Sequence, residues 1–144
     1  MAIFRTDQAA VGVPVIDNFS KSGAATAIPI KYNSGSQSID PSVDTLYLCP
    51  VPNHSWILSA KENHSSGETT CTFSLGVDSA LTAFSASVAK GVAASQLAFP
   101  YHVDLSDNAS PQYIYVALGP NAGTASTSVT VDAVVTYVKD ADNS

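Results

Sequence analysis

His54, His64 and His102 are the side chains of this 144-residue chain best suited to hold a metal or to move protons near neutral pH. Zinc needs several ligands that converge, usually in pairs at short spacing, and no two of these histidines lie within five residues of each other. They read as turn or core histidines, and no metal site is expected. Asp104, Asp107 and Asn108 are the one local cluster of oxygen donors. It lacks the alternating acids and terminal glutamate of a calcium loop, so it reads as a turn. No serine stands in a G-x-S-x-G elbow, and the glycines fall between strand patterns rather than in a phosphate-cradling loop. The twelve acids fall mostly in expected turns, which gives no facing pair for glycoside hydrolysis. No catalytic residue and no cofactor is expected, and the chain reads as a non-enzyme.

Stacking is a different chemistry, and four aromatics bear on it. Trp56 shares a two-residue period with Leu58 and Ala60, which assigns it to the core. Tyr113 and Tyr115 alternate with Ile114, Val116 and Leu118, so one of the two sets must point outward. Exposed tyrosines there would suit a subunit interface as well as a ligand. Tyr101, Tyr113 and Tyr115 are therefore the candidate interface aromatics.

The elements that must position these groups are strands. Cys71, Phe73, Leu75 and Val77 alternate with Thr70, Thr72, Ser74 and Gly76, and Val129, Val131, Ala133, Val135 and Tyr137 alternate with Ser128, Thr130, Asp132 and Thr136. Successive strand residues point to opposite faces, so each stretch has an apolar face and a polar face rich in hydroxyls. Further strands are expected at 27–32, on an edge because of Pro29, and at 45–51, 55–61, 101–105 and 112–118. Residues 63–68 read as a hairpin loop, and Gly119, Pro120, Asn121 and Gly123 as the last tight loop. Residues 80–99 read as a short strand and a long loop, with a short helix as the alternative. One strand plus turn every dozen residues is the pattern of an antiparallel sandwich or barrel.

Only 12% of the residues are charged, about half the usual ~25%, and the net charge is −6. The six basic residues (Arg5, Lys21, Lys31, Lys61, Lys90, Lys139) are scattered, whereas phosphate binding needs them clustered. No nucleic-acid partner is expected. The chain has no 18-residue apolar run, so no membrane partner is expected, and Met1–Arg5 does not open a signal peptide. In a reducing compartment Cys49 and Cys71 are expected to be free, small core hydrophobes, with a Cys49–Cys71 disulfide as the alternative.

Residues 1–26 show no sustained period, and Gly12 and Pro14 break any helix. They read as an extended N-terminal arm whose apolar residues want a partner surface, or as an edge strand folded back onto the body. Ile3, Phe4, Arg5, Val11, Val13, Val15 and Ile16 are the candidate contact residues of this arm. The β-sandwich domain is expected over 27–138, followed by a polar tail over 139–144.

The Ser-Leu-Gly-Val-Asp run at 74–78 and the closing segment Tyr113–Val138, beginning Tyr-Ile-Tyr-Val-Ala-Leu-Gly-Pro, resemble small structural proteins of tailed bacteriophages. The resemblance covers residues 69–138. It implies an all-β fold, an antiparallel β-sandwich of jelly-roll or Ig-like type, and a place in the virion. It further implies a capsid decoration (cement) protein, made in the host cytoplasm and bound to the head surface. Its partners would be the major capsid protein and its own copies, as dimers or trimers. The alternative is a receptor- or glycan-binding module of a phage tail fibre or spike.

Overall fold

Val131, Ala133, Val135 and Tyr137 are buried while Thr130, Asp132 and Val134 are exposed, so the strict period of the C-terminal segment becomes one wall of a core. The computed structural model describes residues 2–11, 25–91 and 100–140, which leaves Val13, Val15 and Ile16 outside the described residues. Its elements are β1 (Ile3–Arg5), α1 (Asp7–Val11), β2 (Ala25–Asn33), β3 (Thr45–Pro52), β4 (Ser55–Ser65), β5 (Cys71–Val77), β6 (Ala80–Ala89), β7 (Tyr101–Val103), β8 (Tyr113–Gly123) and β9 (Thr130–Lys139).

The β5–β6 turn is the centre of the topology. From it outward, β5 pairs with β6, β4 with β7, β3 with β8 and β2 with β9, every pair antiparallel. The lateral pairs β4–β9 and β5–β8 then assemble two sheets, ordered β2-β9-β4-β7 and β1-β3-β8-β5-β6. One long hairpin rolled over itself in this way is a jelly roll; consecutive strands of an Ig-like domain are arranged differently. The core between the sheets holds Phe73, Phe84, Leu46, Leu48, Ile57, Leu118 and Tyr137. Pro29 lies on β2, an edge strand, as its missing N–H requires.

Ile3–Arg5 takes the folded-back disposition: β1 pairs in parallel with Thr45–Tyr47 at the sheet edge. Two polar groups fix it there. The buried Thr6 hydroxyl donates to Leu48 O and accepts from the Ala9 N–H at 3.2 Å, which caps α1. The Asp44 carboxylate accepts from the Ala2 N–H (2.9 Å) and the Asp40 N–H (2.8 Å).

Four local readings are corrected. Trp56 and Leu58 face solvent, at 40% and 39% exposure, because a bulge between Ile57 and Ser59 reverses the alternation, so Ala60 does not share their face. Strand β4 runs on to Ser65, and the connection to β5 crosses between the sheets instead of forming a hairpin. Strand β6 is ten residues long, where a shorter strand and a loop were expected; residues 92–99 lie outside the described residues. Gly119–Gly123 belongs to β8, opposite Cys71–Ser74, and not to a tight loop.

Cys49 and Cys71 are free and buried, on β3 and β5 with β8 between them. Two strand spacings of about 4.8 Å put their Cα atoms beyond the ~7 Å a disulfide tolerates. Burial pushes the Cys49 thiol up to about 12, which leaves almost no thiolate near neutral pH. A maleimide pulse at pH 8 read by mass spectrometry is expected to leave both cysteines unlabelled in the native protein and to label both in urea. Rapid labelling of either in the native state would contradict their place in the core.

Candidate functional site

On the outer face of the five-stranded sheet, Tyr47 from β3 and Tyr113 and Tyr115 from β8 lie side by side, with Arg5 from β1 at their edge. A bulge between Tyr47 and Cys49 puts two consecutive residues, Leu48 and Cys49, into the core and leaves Tyr47 outside. Tyr115 is its diagonal neighbour across the strand pair, a position aromatic side chains can reach. The two rings stack with centroids 4.5 Å apart and planes 17° from parallel. Tyr113 meets Tyr115 edge-on at 5.5 Å. The Arg5 guanidinium carbon lies 5.2 Å from the Tyr47 ring centroid and 5.9 Å from that of Tyr115, within cation–π range.

Asp78 closes the far side of this group. Its N–H donates to Tyr115 O at 3.0 Å, and the Tyr115 N–H points to its Oδ2 at 3.4 Å. Burial, and then the Asp78 charge, raise the Tyr47 phenol above its ordinary value despite Arg5. The Tyr113 phenol is raised mainly by its hydrogen bond with Tyr115. Both stay neutral at physiological pH, so the face offers flat apolar area, hydroxyls and one cation, with no nucleophile. Tyrosine and arginine together are the composition of protein interfaces and their hot spots.

The expected contact residues divide. Arg5, Tyr113 and Tyr115 come together. Ile3 is exposed on the same edge strand, while Phe4 packs against the core. Val11 ends α1. Tyr101 is half-buried on β7 with its ring edge-on to Phe84 at 5.5 Å, away from the tyrosine group. Tyr47 is the member that sequence reasoning missed; its place between two buried leucines is an alternation signal that would have found it.

The three histidines stay apart, each beside one carboxylate. His54 Nε2 lies 3.4 Å from Asp107 Oδ1, and His102 Nε2 lies 2.9 Å from Asp140 Oδ2. His64, fully buried, has Nδ1 2.9 Å from both Glu62 oxygens and Nε2 2.8 Å from Cys71 O. Among the described residues no three His, Cys, Asp or Glu side chains converge in a way that could hold a metal. The Glu62–His64 pair ties β4 of one sheet to β5 of the other, which is a structural task.

No family model and no curated protein matches the sequence. Two solved structures share its fold. One is a chain of the capsid of Ralstonia phage GP4, with 15% identity over 95% of this chain and 97% of that one, at a TM-score of 0.67. The other is a chain of the cyanophage Pam1 capsid asymmetric unit, with 16% identity over 88% and 91% and a TM-score of 0.56. At such identity the likeness establishes the jelly-roll fold.

Proposed function

We propose that this chain is a non-enzymatic structural protein of a phage virion that decorates the head surface and stabilises the shell. The observation that carries this reading is the Arg5–Tyr47–Tyr115–Tyr113 face on a fold shared, nearly end to end, with chains of two phage capsids. A protein that binds only assembled shell stabilises it by mass action, and many copies multiply the effect. The partners are the major capsid protein, contacted through this face and the neighbouring Ile3, and further copies of the chain in closed dimers or trimers. A glycan-binding role is less well supported, because Tyr47 and Tyr115 stack on each other and occupy the faces a sugar would need.

The test is gradient co-sedimentation of the purified protein with particles lacking it. Saturable binding at a copy number comparable to the shell subunits is expected. The Tyr47→Ala, Tyr115→Ala double variant is expected to bind at least about 30-fold more weakly, the scale of one hot spot. A few copies per particle would move the protein to the tail and favour the glycan reading. No association at all would sink the virion role.

A further inference from the structure

We propose that the outer face of the β2-β9-β4-β7 sheet is an interface between copies of this chain. The proposal refines the self-association in the functional reading above by naming its surface. Strand register lays this face out in rows. Val138 stands between Ala25 and Trp56, with His102 beyond; Val134 stands between Pro29 and Lys61; Asp132 stands between Lys31 and Asn63. Trp56, Leu58 and Val134 are three of the five large hydrophobic residues most exposed to solvent, and all three lie here. The His102 ring packs on Trp56 at a centroid distance of 4.4 Å and holds the indole outward in one place.

Two arguments point to a second copy as the occupant. The first is charge. Lys31 and Lys61 flank the apolar rows without an ion-pair partner among the described residues, on a chain whose net charge is −6. A basic strip on an acidic protein is complementary to other surfaces of that same protein, and charge complementarity steers association. The second is area. Three long strands and a short one, at the usual strand spacing and rise, present about 500 Å² of face. That is the core of a standard interface of about 800 Å² per partner, and a monomer seldom leaves so continuous an apolar sheet face in water.

Sedimentation velocity of the full chain tests this, with far-UV circular dichroism as the check on folding. The unmodified chain is expected to sediment as an oligomer. Val134→Glu and, separately, Leu58→Glu are expected to weaken association at least about tenfold with an unchanged spectrum, since each puts an unpaired charge into the apolar rows. Tyr115→Ala, on the opposite sheet, is expected to leave the oligomer intact. A chain that is monomeric at every concentration overturns the proposal, as does an oligomer indifferent to both substitutions. Loss of particle binding by Val134→Glu in a chain that is monomeric throughout would assign the face to the shell protein, and so also overturn it. An intact oligomer with no affinity for particles would instead retain this interface and remove the virion role.

Discussion

Glu62→Ala is expected to destabilise the protein by about 3–5 kcal/mol in urea unfolding, because it leaves the His64 imidazolium buried without its counter-charge. Glu62 is 2% exposed and His64 fully buried, so water cannot substitute for the lost carboxylate. Both ring nitrogens of His64 face acceptors, the Glu62 oxygens and Cys71 O, and two N–H donors make the ring cationic. Burial alone would push the His64 pKa down. The hydrogen bonds to Cys71 and Glu62 and the Glu62 charge outweigh it and raise the value to about 10. The unfolded chain holds this proton only up to about pH 6.5, so its stabilising contribution is complete below that pH and is lost as pH rises toward 10. Cys49 and Tyr137, both pushed up to about 12 by burial, add losses of the same sign, but only above about pH 9 and 10. A decline in stability between pH 6.5 and 9 therefore belongs to His64. Glu62→Gln, which keeps an acceptor but no charge, is expected to flatten it. An unchanged pH profile in Glu62→Gln, or a single protonated ring nitrogen in the His64 nitrogen-15 spectrum, would refute the ion pair.

Gly76→Ala is expected to cost about 3 kcal/mol, the upper end of overpacking penalties. A Cβ at this position would meet backbone on three sides: Ala80 O, the Leu81 carbonyl carbon at 2.6 Å and the Ala83 N at 2.8 Å. Here β6 crosses the outer face of β5, and main chain cannot swing aside as a side-chain tip can. The same crossing lays Leu81 over Gly119, where a Cβ would lie 2.8 Å from that of Leu81. Gly67→Ala is the control: nothing lies within 4 Å of its would-be Cβ, and a change within about 0.5 kcal/mol is expected. Equal thermal shifts for the two variants would show that β6 does not lie across β5 in this way.

The strands that keep one period throughout were legible in the sequence, β9 above all. The failures have identifiable causes. A bulge changes parity in mid-strand, and no residue type in Trp56–Ala60 announces it, so Trp56 was assigned to the wrong face. Polarity misled in Asn63–Glu68, where a run of polar side chains suggested a loop. Glu62 and His64, two residues apart on one strand face, satisfy each other inside the core, so their polarity does not mark exposure. Pro120 and its flanking glycines suggested a turn, yet a bulge between Thr72 and Phe73 of the partner strand admits the proline into β8. In the tyrosine face, the alternation of Tyr113 and Tyr115 was visible. Their meeting with Arg5 and Tyr47 was not, since it depends on strands far apart in sequence becoming neighbours.

The nested pairing of the jelly roll also orders the events of folding. The β5–β6 hairpin needs only its own short turn to form, while β2 meets β9 only by bringing Ala25 beside Val138, nearly the whole chain apart. Each wider pair closes a larger loop, at an entropic cost that grows slowly once the pair inside it is in place. The chain is thus expected to zip from its middle outward, at the slow rates of folds dominated by distant contacts. The face proposed to join copies lies on the sheet that holds the last and widest pair, so it would be complete only when nearly everything else has formed.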